Sequence, residues 1–480
     1  MMPAPVDTLR RRSHSGRVNN ARTVGELRKS GYAPRSVKQE LRDNLIARLR
    51  KNEPFLPGIV GYDDTVVPQI ENAILSGQDM VFLGERGQAK TRIARLLVGL
   101  LDDVVPVMAG CEINDDPVAP ICQACRARVA DVGDAAEIGW LPRDRRYGEK
   151  LATPDITIAD LIGEVDPIKV AEGRYLSDEL TIHYGLLPRT HRGIFALNEL
   201  PDLAERIQVG LLNIMEERDV QIRGYKVRLP IDVYVVASAN PEDYTNRGRI
   251  ITPLKDRFGS QVRTHYPKRL DHEIAIMEAE RTAFPVDGVR TATPEYMKQV
   301  VAELTHLARK ASEISQRSGV SVRVSICNWE NLLSSALKRA IRLGEKDAAP
   351  RVSDLGALVA STAGKIELET LGDASEEKVL AKLLQRAVLN VFNRSFPAAD
   401  LDPLAAGFQG GFAVQVSDTM PSADYAKQIA QAPALRAAAQ KLGGAEPASF
   451  ASAVEFVLEG LHLSRKLNKD VQASHTRYRS

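Results

Sequence analysis

Asp79-Met80-Val81-Phe82-Leu83-Gly84-Glu85-Arg86-Gly87-Gln88-Ala89-Lys90-Thr91 is the stretch that decides how this chain folds. It opens with a short apolar run ending at a glycine, the pattern of a buried strand that feeds a tight loop. Residues Lys90 to Leu101 then read as a helix. Gly84 to Thr91 nearly matches G-x-x-x-x-G-K-[ST], in which backbone amides cradle phosphates, the lysine reaches the β and γ oxygens and the Thr hydroxyl meets magnesium. Gly84, Glu85, Arg86, Gly87, Gln88, Ala89, Lys90 and Thr91 are therefore candidate nucleotide contacts. Ala89 departs from the pattern by standing where a glycine is usual. Alanine is tolerated there provided the position needs no positive φ.

Further β-rich runs follow at Val104 to Met108, Gly193 to Leu197 and Val233 to Ala237, with helical stretches between them. Strands alternating with helices predict an α/β fold with a parallel, right-handed, doubly wound sheet. Ile194-Phe195-Ala196-Leu197-Asn198-Glu199 is an apolar strand ending in two polar residues, where a phosphate-loop ATPase carries its metal and water-activating groups. Glu199 has the chemistry of a general base for the attacking water. Asn198, paired with Thr91 as a magnesium ligand, stands where an Asp is expected. An amide oxygen offers the ion less charge than a carboxylate, so hydrolysis is expected to be weakened or slowed, not abolished. Tyr234 to Ala239 is another apolar strand, and Asn240 at its end is suited to holding the lytic water.

The 480 residues correspond to about three domains. With 44% hydrophobic and 26% charged residues the composition is that of a globular chain. The formal charge of +2 gives no reason to invoke nucleic acid. It conceals an asymmetry, because Met1 to Lys51 holds 13 Lys and Arg against 4 Asp and Glu. No apolar run approaches the ~20 residues of a membrane helix, no signal peptide is evident, and four cysteines make no disulfide framework. A cytoplasmic location is the expectation. Residues 1–35 read as a mobile basic arm, 36–267 as the α/β core with entry helices and a cysteine-bearing insert at 110–154, and 268–395 as a helical lid. Residues 396–480 read as a linker and a small helical tail. Leu332, Leu333, Ala336, Leu337, Ala340 and Ile341 are expected on one core-facing helical face, and Phe450 to Leu467 as a final amphipathic helix.

The order of these motifs resembles the AAA+ ATPases, specifically the clade of the magnesium chelatase I subunit and the MoxR-type ATPases. Asp160 to Asp166 through Gly173, Gly185-Leu186-Leu187 and Arg192-Gly193-Ile194 are similar to the chelatase segment before its second acidic motif. Leu211 to Arg218 with Val220 to Val227 is similar to the MoxR helix and hairpin. The resemblance covers roughly Gly58 to Pro267 and extends less closely to Glu345. It implies an ATP- and magnesium-dependent motor that assembles into a ring, a hexamer, and remodels a partner protein containing a von Willebrand factor A domain. It also implies roles: Asn240 as first sensor, Arg257 as an arginine finger acting across the ring, and Arg323, with Arg317 as its rival, as second sensor. Two other readings stay open: the motor of a magnesium chelatase, and a slow or non-hydrolysing nucleotide-gated scaffold. A DNA-acting relative is a third, although no base-reading helix-turn-helix or aromatic stacking platform is evident.

Cys111, Cys122 and Cys125 cluster within the insert. Cys122-x-x-Cys125 has zinc spacing, but a structural zinc wants four ligands and no obvious fourth lies close in sequence. His191 or Asp115 would supply it only through folding. Reduced structural cysteines or a redox-sensitive pair are therefore favoured over zinc. Cys327 reads as a small core residue on its helix. The basic arm, with Arg10-Arg11-Arg12, reads as a solvated tail ahead of a docking element.

Overall fold

In chain order the strands of the α/β part are β1 (Met80–Leu83), β2 (Val104–Met108), β3 (Ile138–Pro142), β4 (Tyr147–Leu151), β5 (Gly163–Val165), β6 (Ile182–Tyr184), β7 (Gly193–Asn198), β8 (Asp219–Gln221), β9 (Arg228–Pro230), β10 (Val233–Ala239) and β11 (Ser260–Arg263). Five of them build one parallel sheet in the order β11-β1-β10-β7-β4. The computed structural model describes residues 20–171, 179–217, 219–221, 228–240, 249–283, 285–315, 319–369, 375–472 and 475–480. They divide into two units, one taking residues up to Gly84 with Ala89–Thr264, the other Glu85–Gln88 with His265–Ser480.

Both faces of the sheet are covered, as a parallel sheet requires. Successive side chains point to opposite faces. Met80, Phe82, Ile194, Ala196, Tyr234 and Val236 thus share a core with helices α2 (Val37–Lys51), α3 (Val66–Leu75) and α4 (Lys90–Leu96). The alternate residues Val81, Phe195, Leu197, Val235 and Ala237 pack with Leu211, Ile214, Leu254 and Phe258 on the other side. Glycine is required at the start of β7, since a Cβ on Gly193 would lie 2.1 Å from the Arg146 carbonyl oxygen. β5 pairs antiparallel with β6, and β8 with β9; Gly173, Arg218 and residues 222–227 lie outside the described residues.

The strand that closes the sheet differs from the sequence expectation. Val104–Met108 forms as β2, but it pairs antiparallel with β3 and stays out of the parallel sheet. The fifth place goes to β4. Pro106 in the middle of β2 lacks the N–H that a ladder of two neighbours demands. The insert therefore includes the β2–β3 hairpin and ends before Tyr147, not at residue 154. The salt bridge between Arg146 and Glu40 (2.6 Å), both buried, fixes the end of the insert to α2.

The arm expected to run to residue 35 is built into the first unit from residue 20. Helix α1 (Val24–Lys29) is capped by Thr23, Val24 and Leu27 are buried, and the Val24 amide donates to the Ala136 carbonyl (2.9 Å). Its charges find acidic partners on the same chain: Arg28 pairs with Asp134 at 2.6 Å, Arg35 pairs with Asp102, and the Tyr32 hydroxyl donates to Asp116 at 2.5 Å. Arg10, Arg11 and Arg12 lie outside the described residues.

The second unit is helical, as expected, but it has one core and not two. Buried residues from Met277 to Tyr478 form a single cluster. Tyr296 packs on Phe456 with ring centroids 4.6 Å apart, and its hydroxyl meets Ser452 at 2.7 Å. The expected linker contains the helix Ala398–Ala406, with Leu401 and Leu404 buried. The helix Pro447–Leu463 is buried nearly all round, Glu455 and Glu459 included, so it is no amphipathic tail helix. A three-stranded antiparallel sheet of Ala413–Val416, Thr476–Arg479 and Asn468–Val471 escaped the sequence reading. On the helix Val322–Leu343, Leu332, Leu333, Ala336 and Ala340 are buried as expected, but Ile341 is 55% exposed. Its offset from Leu332 is about two and a half turns, which puts it on the opposite face. Among the described residues no helix is long and apolar enough to cross a membrane.

Candidate functional site

The parallel register brings three chain segments to adjoining strand ends, where open α/β sheets bind ligands. Leu83 of β1 stands beside Ala239 of β10, and Ala237 beside Leu197 of β7. Gly84, Asn240 and Asn198 therefore meet at one edge. The Gly84 amide donates to the Ala239 carbonyl (3.2 Å), and the loop then turns through Gly87 at φ +76° and Ala89 at φ +59° into α4. The condition under which alanine is harmless is thus not met, because Ala89 adopts the left-handed conformation that glycine favours. Lys90, buried, donates through Nζ to the Gly84 carbonyl and to Asn240 Oδ1 at 2.6 Å.

Thr91 Oγ1 donates to Asn198 Oδ1 at 3.3 Å, and Ser238 Oγ donates to the same oxygen at 3.3 Å. Asn198 Nδ2 donates to Glu149 Oε1 at 2.8 Å. This bonding fixes which end of the amide faces Thr91. Sequence pattern alone does not reveal Glu149 and Ser238 as site residues, Glu149 because it falls within the expected insert 110–154. A carboxylate is thus present one strand away from where the Asp was expected. Arg95 grips Glu149 at 2.7 and 2.9 Å. Burial pushes the Glu149 carboxyl up, yet the hydrogen bonds and charge of Arg95 and the Asn198 amide outweigh it and hold it below the ordinary carboxylate range.

Glu199 follows directly, with its backbone in the left-handed region at φ +56°. Such a conformation in a non-glycine residue costs free energy and is characteristic of functional turns. Its amide donates to Ser238 Oγ (3.3 Å), and its carboxylate accepts from Asn240 Nδ2. Asn240 is accordingly a bridge, its oxygen on Lys90 and its nitrogen on Glu199.

Arg257 ends the helix Thr252–Arg257 and is held by Glu216 at 2.6 Å and Asp256 at 3.4 Å. Arg323 is exposed in the first turn of Val322–Leu343 in the second unit, its amide capped by Ser321 (3.2 Å). Arg317 lies outside the described residues. Of the loop residues between Gly84 and Ala89, Gln88 is buried, and the Arg86 carbonyl accepts from the Tyr266 hydroxyl at 2.8 Å.

The cysteines of the insert do converge. One ligand atom from each of Cys111, Asp115, Cys122 and Cys125 lies within 4.8 Å of the others. His191 is elsewhere engaged: Nδ1 accepts from the Asp232 amide at 2.9 Å, and burial holds the ring neutral, its pKa lowered to about 3. Cys327 is half-buried on Val322–Leu343.

A family model described as the Sigma-54 interaction domain matches residues 172–257. The magnesium-chelatase subunit ChlI of Cyanidium caldarium is 27% identical over 252 residues, 49% of this chain and 64% of that subunit. Both are AAA+ ATPases, and the chain is similar to them. The chain spans less than two thirds of the curated relative's length. It is also similar to a structure of the BchI–BchD complex of magnesium chelatase, at 19% identity and a TM-score of 0.35 over 70% of this chain and 95% of that one. Brucella abortus NtrX in complex with ATP is similar at 15% identity and a TM-score of 0.40, over 77% of this chain and 68% of that one.

Proposed function

We propose that this AAA+ chain binds ATP with magnesium and hydrolyses it, as one subunit of a ring that remodels a partner protein. The observation that carries this reading is the convergence of Lys90, Thr91, Asn198, Glu199 and Asn240 at the adjoining ends of β1, β7 and β10. The donor set fits the group. Lys90 and the loop amides from Gly84 to Thr91 offer donors to phosphate oxygens, and Thr91 Oγ1 and Asn198 Oδ1 offer two adjacent oxygens to a hard cation. Glu149 adds a carboxylate behind them. Magnesium, when bound, neutralises charge on the phosphates.

The chain's own residues account for the rest. Glu199 Oε accepts a proton from the attacking water while Asn240 holds the carboxylate in place. Lys90, released from Gly84 and Asn240, turns to the phosphates. Arg257 acts in trans: it leaves Glu216 and stabilises charge at the nucleotide of the neighbouring copy. Arg323 carries the second-sensor role that the resemblance implies. A hexameric ring and a von Willebrand factor A partner are the finer parts of the proposal, supported by the clade and its motif order. A slow, nucleotide-gated scaffold is favoured by one feature only, the amide of Asn198.

Magnesium-dependent ATP turnover of the wild type beside Glu199→Gln separates the two. The expected result is a loss of roughly 100-fold or more in the variant, the range of general-base catalysis. Equal background rates in both would remove the motor and leave the scaffold. Proteins captured on the Glu199→Gln variant with ATP identify the partner; a set without any von Willebrand factor A protein would overturn that part.

A further inference from the structure

The part of the insert that joins β2 to β3 is irregular from Ala109 to Cys122, yet Ile113, Asp115, Asp116 and Cys122 within it are buried. A buried segment without a ladder or helix needs another source of order. Four groups in it converge: Cys111, Asp115, Cys122 and Cys125, with their ligand atoms all within 4.8 Å. Three features point from this cluster to a ligand. Asp115 is fully buried and its Oδ1 has no hydrogen-bond partner, while Oδ2 accepts from the Cys122 amide at 2.9 Å. Backbone amides aim at the sulfurs, Asp115 N at Cys111 Sγ (3.4 Å) and Cys125 N at Cys122 Sγ (3.3 Å). Cys122 also caps helix α5 (Gln123–Val132), whose N-terminus favours a thiolate.

We propose that Cys111, Asp115, Cys122 and Cys125 are a closed, tetrahedral structural site for zinc, which fastens the insert of the first unit. Three thiolates and one carboxylate are ligands that zinc accepts at four-coordination. The ligands of such a site stand roughly 3.5–4 Å apart when each is ~2.0–2.3 Å from the ion, within reach of the cluster by small rotations. Each thiol gives up its proton on binding, so uptake releases protons and strengthens with rising pH. A Cys122–Cys125 disulfide uses two of the four groups and leaves Cys111 and the bare Asp115 oxygen without a role. The fourth ligand, which a cysteine-and-histidine spacing pattern does not reveal, is Asp115, carried by the loop that joins Cys111 to Cys122.

The test uses the full chain purified under reducing conditions without chelator. Elemental analysis is expected to find one zinc per chain, released by a thiol-reactive mercurial, and cobalt(II) exchanged into the site is expected to give a thiolate-to-cobalt absorption band. Asp115→Ala and Cys122→Ser lose stoichiometric zinc, whereas Cys327→Ser keeps it. The wild-type measurements stand even where a variant fails to fold. A reduced chain that retains no zinc after incubation with it, a cobalt complex without the thiolate band, or a native Cys122–Cys125 disulfide on intact-mass analysis would each overturn the proposal.

Discussion

At the scale of single residues the nucleotide loop carries a strain that its sequence only hints at. Ala89 holds φ +59° where its relatives' pattern has glycine. The left-handed region costs an L-residue about 1–2 kcal/mol, while glycine gives back part of that by loosening the unfolded chain. Ala89→Gly is expected to stabilise the protein by about 0.5–1 kcal/mol, the difference of those two effects, read as a higher urea midpoint at unchanged m. A lower midpoint would mean that the loop does not hold this conformation. Asn198 makes a second residue-scale case. Restoring the expected acid, Asn198→Asp, sets a carboxylate against Glu149, which is already ionised and held below its ordinary range by Arg95 and Asn198. Ionised Glu149 contributes stability above the ordinary carboxylate range and loses it as pH falls through its lowered value. In Asn198→Asp the two charges repel only when both are ionised. The variant is therefore expected to be less stable than wild type at neutral pH, by on the order of 1 kcal/mol, and to converge on it in acid. Adding Glu149→Gln should remove the difference. A deficit that is the same at every pH would exclude the repulsion.

Elements were legible where periodicity and punctuation agreed, and not where tertiary pairing decided. The run from Met80 to Leu83, its glycine and the helix from Lys90 could be read directly, as could β7 and β10, because each is apolar over nearly its whole length. The strand β4 could not. Its residues Tyr147, Glu149 and Lys150 look like a surface segment, and only the approach of β7 makes them a sheet edge. Asn198 and Glu149 consequently lay on elements whose adjacency no local pattern reveals. The same holds for Glu40 and Arg146, which are 106 positions apart and buried against each other. Glu40 also accepts from the Asp102 amide at 2.7 Å, and Arg146 donates to the Arg192 carbonyl at 2.8 and 2.6 Å. Removing one partner strands the other charge inside, which typically costs about 3–5 kcal/mol. Glu40→Ala is expected to lose that much in urea unfolding, and Glu40→Met with Arg146→Met to recover most of it. A double variant no better than the single would show that the hydrogen bonds to Asp102 and Arg192 matter more than the pair.

For the molecule as a whole, net charge near zero proved a poor guide, since Arg28 and Arg35 of the basic stretch are matched by Asp134 and Asp102 of its own chain. The charges that the proposed function uses are few, and they have separate partners: Lys90 is beside Asn240 at one edge of the sheet, Arg257 is paired with Glu216 on the exterior. That separation has a consequence for assembly. If Arg257 serves a neighbour's nucleotide, a single subunit has a nucleotide loop and no finger of its own. Lys90→Ala should then abolish nucleotide binding, whereas Arg257→Ala should bind normally and fail to turn over, with a loss of roughly 10³-fold or more. In a ring, Lys90→Ala subunits still lend their Arg257 to Arg257→Ala neighbours, whose loops are intact. Mixing the two inactive proteins is therefore expected to restore part of the turnover, rising and falling with the mixing ratio. Two variants that stay inactive at every ratio, although they co-assemble by size-exclusion chromatography, would place the finger elsewhere. Full turnover by Arg257→Ala alone would do the same.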